Sequence, residues 1–120
     1  MPFIPTEKVK EIRKEIKKQF PEFKFSIRRE HYSTVNIIFK SGPVQLLLNP
    51  DSNYEMVNHF YVSDHYADHP EARDIIQKVI DIARNEQHEV VYDGDYGSIP
   101  NYYINVSVGE WNKKYQVINK

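Results

Sequence analysis

The junction between Val9 and Ile27 constrains this chain more than any other stretch. Val9, Ile12, Ile16 and Phe20 recur every three or four residues, the single stripe of an amphipathic helix. Pro21 disfavours helical geometry at the residue before it, so the helix ends at about Phe20. Phe23, Phe25 and Ile27 then alternate with Lys24, Ser26 and Arg28, the period of a half-buried strand. A one-striped helix that runs at once into a one-faced strand has to bury both against the same core.

The remaining elements follow from the same periodicities. Thr6, after Pro5, is the expected helix N-cap. Within the helix the favourable charge pairs lie three apart, at Glu7–Lys10, Glu11–Lys14 and Glu15–Lys18. Glu30 to Thr34 reads as a turn, and Val35, Ile37 and Phe39 mark a second strand antiparallel to the first, broken by Ser41-Gly42-Pro43. Val44 to Leu48 is a candidate third strand, and Tyr54 to Tyr66 has no clean period. Asp68-His69-Pro70-Glu71 is a helix start with Asp68 as cap, and Ile75, Ile76, Val79, Ile80 and Ala83 give the apolar face of a helix to about Glu86. Val90 to Tyr92 is a candidate short strand, and Asp93 to Ser98 is turn chemistry. Tyr102, Ile104, Val106 and Val108 form the clearest strand, and Tyr115 and Val117 belong to a last one. The order α-β-β-(β)-α-(β)-β-β predicts an α+β fold of two layers: a mostly antiparallel sheet of four to six strands with two helices on one face. At 120 residues the chain is expected to be one domain, 1–120.

Charge is unevenly spread. Residues 1–40 hold ten Lys or Arg against five Glu, and residues 41–100 hold three basic groups against eleven acidic ones. Such asymmetry suits either an oriented partner surface or two solvated faces of opposite composition. The acidic portion could mimic nucleic acid toward a host protein or simply keep the chain soluble. The absence of cysteine excludes disulfides, thiolate zinc sites and a cysteine nucleophile. No apolar run reaches signal-peptide or membrane-spanning length, so a cytoplasmic location is expected, with no membrane partner.

Ile12-Arg13-Lys14-Glu15-Ile16-Lys17-Lys18-Gln19-Phe20-Pro21 followed by Lys24-Phe25-Ser26-Ile27-Arg28, and then Gly42-Pro43, resembles the large polyvalent protein-associated domain family, specifically the twenty-ninth type in that series. Tyr102 to Gly109 is similar to the tyrosine-rich closing strand of that family. The resemblance implies an accessory role in phages, plasmids or conjugative elements, and brings with it no catalytic residues. Both dipeptides also serve as plain stops, Phe20-Pro21 for the helix and Gly42-Pro43 for the strand.

Two constellations could carry chemistry. Lys10, Arg13, Lys14, Lys17, Lys24, Arg28 and Arg29, with Lys18, could follow a phosphate backbone or an acidic partner. Tyr92, Tyr96, Tyr102, Tyr103 and Trp111 could stack bases on an open sheet face, or pack in the core and its rim. The helix–three strands–helix order matches a double-stranded RNA-binding domain, but the second helix opens with Glu71 and Asp74 where phosphate-gripping lysines would stand. His59, Asp64, His65, Asp68 and His69 are metal-ligand types within a short span, although Pro70 interrupts the helical spacing that would align His65 with His69. No nucleophile–base order, phosphate-binding glycine loop or spaced carboxylate pair is present. The expectation is therefore a non-enzymatic interaction module without cofactor, binding a protein partner such as a host or defence protein. A nucleic-acid-binding accessory protein is the alternative, and a histidine–aspartate metal enzyme comes third.

Overall fold

The computed structural model describes residues 3–58, 61–85, 89–91, 98–100 and 102–118, the two three-residue segments by their backbone alone. In chain order these form α1 (Thr6–Gln19), β1 (Lys24–Glu30), β2 (Thr34–Gly42), β3 (Glu55–Val57), α2 (Val62–His65), α3 (Pro70–Ala83), β4 (Glu89–Val91), β5 (Ser98–Pro100), β6 (Tyr103–Val108) and β7 (Gln116–Val117). The main sheet has five strands in the order β1-β2-β6-β3, with β7 also on β2, and β4 and β5 pair separately. This is a two-layer α+β fold, as the periodicities predict.

α1 buries the predicted stripe of Val9, Ile12 and Ile16. Its start differs from expectation, because Pro5 and not Thr6 occupies the N-cap, with no side-chain cap bond. The proline ring already holds an extended approach, φ −64° and ψ 151°, and its carbonyl accepts the amides of Lys8 and Val9 at 3.1 and 3.2 Å. Thr6 is thereby drawn inside the first turn. The helix ends where Pro21 requires: Phe20 leaves helical geometry while its N–H still donates to the Ile16 carbonyl at 2.9 Å. The ion pair that forms along α1 is Lys8–Glu11 at 2.8 Å.

β1 and β2 form a hairpin in the register Phe25↔Phe39, Ile27↔Ile37 and Arg29↔Val35. Phe23, Phe25 and Phe39 meet there with ring centroids 5.0 to 6.2 Å apart. The hairpin turn places His31 and Tyr32 at φ 52° and 62°, the left-handed pair a type I′ turn needs but usually fills with Asn-Gly. Contacts around Tyr32 offset that strain. Its carbonyl accepts the Ile4 N–H at 2.9 Å, and its ring lies 5.0 Å beneath the Arg29 guanidinium.

Two differences arise between the hairpin and α3. Val44 to Leu48 is not a strand, although Leu46 and Leu47 are buried. Pro43 has no N–H, the Gln45 side chain accepts the Leu47 N–H at 3.1 Å, and the Glu55 carboxylate accepts those of Leu48 and Asn49 at 2.6 and 2.8 Å. With the Leu47, Leu48 and Asn49 donors taken by side chains, that end of the segment needs no ladder. The third strand is instead β3, inside the stretch without a clean period, followed by the short α2. α3 starts at Pro70 with His69 at the cap position and no side-chain cap, so Asp68 does not serve as one. It buries Ala72, Ile76, Val79, Ile80 and Ala83.

Pairings β1–β2, β3–β6 and β4–β5 are antiparallel, but β2 pairs with β6 and β7 in parallel. Parallel neighbours need a crossover, and residues 43–102 supply it, carrying α3 onto the face of the sheet that α1 covers. Ile27, Val35, Ile37, Phe39, Ile104, Val106 and Val108 point into this layer and join both helices in one buried cluster.

Candidate binding face

The register fixes what the opposite, helix-free face displays. Row by row it carries Arg28, Asn36 and Asn105, then Ser26, Ile38, Ser107 and Met56, with Glu30, Thr34 and Tyr103 in the row at one end. Met56 is 65 % exposed and Tyr103 42 %. Ser107, between Ile38 and Met56, is buried.

At the other end the chain leaves the sheet and returns to it. β6 runs beside β2 as far as Val108↔Phe39, and β7 resumes the same lane at Gln116↔Ser41. The excursion begins at Gly109, whose φ is +77° and where an added Cβ would fall 2.5 Å from the Asn53 carbonyl oxygen, leaving no room for a side chain. It ends at Tyr115, which is buried and donates its hydroxyl to the Val44 carbonyl at 2.6 Å. Between these anchors Glu110 and Lys113 exchange backbone hydrogen bonds at 2.9 and 3.0 Å, holding the loop as a raised wall. Against the sheet the wall encloses a depression of about 250 Å³, lined by Lys24, Lys40, Lys113 and Lys114 with Glu110, Ile38 and Gln116. No carboxylate among the described residues lies within 4.0 Å of any of the four ammonium groups. Trp111, 74 % exposed, stands at the tip of the wall.

The basic residues singled out by the sequence separate into three groups. Lys10, Lys14 and Lys17 are exposed on α1. Arg13 and Arg29 are half-buried and serve the fold. Arg13 donates to the Ile27 carbonyl of edge strand β1 at 2.6 Å, and Arg29 reaches the Ile4 carbonyl at 3.4 Å between the rings of Phe3 and Tyr32. Lys24 and Arg28 are exposed, Arg28 on the helix-free face and Lys24 in the depression. Lys40, Lys113 and Lys114 were not among the sequence candidates, since only folding brings β2 and the loop beside Lys24. Basic spacing along the chain holds no signal for that meeting.

Of the ring candidates, Tyr102 is buried and donates to the Ala83 carbonyl at the end of α3 at 2.5 Å, whereas Tyr103 and Trp111 are exposed. Tyr92 and Tyr96 lie outside the described residues, as does His59. Asp64 and His65 are exposed on α2, and Asp68 and His69 lead into α3. The ring of His65 stacks on Tyr61 at 6.2 Å, and no group of three or more metal-ligand side chains converges among the described residues. Nor is any helix among them long and apolar enough to cross a membrane. A larger hollow of about 590 Å³ lies between α1 and α3. Its Lys8 and Lys78 face Glu11, Glu15 and Asp81, so its charges are mixed.

Comparison with known proteins returned no match among curated proteins or solved structures. A family model does match, over residues 4–106, from the approach to α1 to within β6. The chain therefore belongs to the family described as large polyvalent protein associated domain 29, which places it with the associated domains of phages and other mobile elements.

Proposed function

We propose that the chain is a non-catalytic interaction module of a phage or other mobile element, and that its partner docks on the helix-free face of the main sheet. The observation that carries this reading is the one-sided layering. α1 and α3 close one face, while the other keeps Arg28, Met56, Tyr103 and Asn105 open to solvent. Antiparallel sheets often face water on one side, but Met, Tyr and Arg are residue types enriched where proteins meet partners. Among the described residues no three of Asp64, His65, Asp68 and His69 converge as a metal site would require.

Site-specific photo-crosslinking in cells carrying the element tests the proposal. A photoreactive residue at Met56 is expected to capture a discrete adduct, and one at exposed Glu71 on α3 is not. Protein adducts would match the host or defence protein expected from the sequence, and nuclease-sensitive adducts a nucleic acid. No adduct from Met56, or the same adducts from both positions, would overturn the docking face.

A further inference from the structure

We propose that the lysine-lined depression beside β7 grips the phosphodiester backbone of single-stranded nucleic acid, whose bases lie over Trp111 and along the helix-free face toward Tyr103. This rests on the docking face proposed above and gives its partner a chemistry.

Lys24 comes from β1, Lys40 from β2, and Lys113 and Lys114 from the loop before β7, so three separate segments deliver ammonium groups to one hollow. Among the described residues Glu110 is the single carboxylate in the lining and leaves it net positive by three. Like charges gathered at one site repel unless an anion occupies it. Successive phosphates along one strand are an anion that several lysines can share. Arg28 extends the positive track along β1, and Glu30, exposed in the row of Thr34 and Tyr103, ends it, so only bases and no phosphates reach that far. From Lys40 to Thr34 the face runs six residue steps of β2, roughly 20 Å at strand rise, long enough for several nucleotides.

Rings decide between single strand and duplex. Trp111 and Tyr103 are exposed near opposite ends of the track, and an exposed ring can stack only on a base that is not already stacked in a helix. The hollow is about 250 Å³ and shared between the loop residues Glu110, Lys113 and Lys114 and the sheet residues Lys24, Ile38 and Lys40, a space for the phosphates of one strand and not for the width of a duplex. An acidic protein segment would satisfy the lysines but would leave Trp111 without a partner.

Fluorescence anisotropy with labelled mixed-sequence 20-nucleotide DNA and RNA is the test. Four lysine contacts predict a slope of log K against log salt of about −2.8, equivalent to about 50-fold weaker binding between 50 and 200 mM salt. The triple variant Lys24→Ala/Lys113→Ala/Lys114→Ala is expected to reduce the slope to about −0.7. Trp111→Ala is expected to weaken binding about tenfold with the slope unchanged. Lys10→Ala/Lys14→Ala/Lys17→Ala on α1 is the control and should bind as the wild type does. Circular dichroism confirms that each variant is folded.

Four results would overturn the assignment: no binding at 50 mM salt, duplex bound more tightly than single strand, equal competition by polyglutamate, or loss of binding in the α1 variant alone. If Met56 still captures a protein while the oligonucleotides fail to bind, the docking face stands and its nucleic-acid partner falls.

Discussion

Two tyrosines hold their protons past the ordinary phenol range. Burial first, and the Glu55 carboxylate second, push Tyr66 from 10.0 up to about 12, and burial pushes the Tyr115 phenol up as well. A phenol whose folded pKa is raised contributes stability that is complete below the unfolded value of 10.0 and is lost as pH rises through the folded one. The melting temperature is therefore expected to fall between about pH 10 and 12, where only the unfolded chain ionises readily. Tyr66→Phe should flatten that decline in a thermal-unfolding series, and an unchanged decline would place its source elsewhere. Gly42 is a second residue with a single task. A methyl group there would overlap the Phe23 ring, which lies against the glycine and touches the rings of Phe20 and Phe39. Gly42→Ala is expected to cost about 1–3 kcal/mol in urea unfolding. The glycine was legible in the sequence as a strand stop and the hairpin brings Phe23 beside it, but the ring's place over the glycine was not legible, because it follows a register shift between Lys24 and Phe25 that the alternation does not show.

Among the elements, those with a clean apolar period formed where expected. α1, β1, β2, α3 and β6 follow the 3.6- and 2-residue patterns of Val9–Ile16, Phe25–Ile27, Val35–Phe39, Ile76–Ala83 and Ile104–Val108. The differences lie where backbone groups are satisfied by partners distant in sequence. Val44 to Leu48 looked strand-like because it is apolar, yet Glu55 occupies its Leu48 and Asn49 amides from seven and six residues away. Glu55→Ala is expected to open this latch. In hydrogen exchange the Leu48 and Asn49 amides should lose protection while those of β1 and β2 keep theirs. Equal loss throughout would mean that the segment unfolds only with the whole chain. Arg13 shows the same principle at an edge: its guanidinium covers a β1 carbonyl, protecting an exposed strand in the way natural sheets protect theirs.

For the whole molecule, the decisive contact is the parallel pairing of β2 with β6, Thr34↔Tyr103 to Phe39↔Val108. It joins residues 69 positions apart, more than half of the 120-residue chain, so loop closure precedes most of the sheet's stabilisation and folding is expected on the millisecond-to-second scale. A fragment of residues 1–60 retains the hairpin and α1 but lacks β6 and α3, and should show no cooperative unfolding transition. A fragment that melts cooperatively would show that the hairpin and α1 need no central strand. The radius of gyration, 15.0 Å with a long axis of 51 Å, exceeds the about 13.6 Å of a compact chain of this length. By itself the sequence determined the two helices, the hairpin, the strand at Tyr103–Val108 and the layer they share, because side-chain period and proline act over a few residues. Only the tertiary structure decided that β2 and β6 run parallel, that Arg13 and Arg29 serve the fold, and that Lys24, Lys40, Lys113 and Lys114 face one another. Those outcomes depend on which distant segments become neighbours, and the balance of burial and hydrogen bonding over the whole chain sets that.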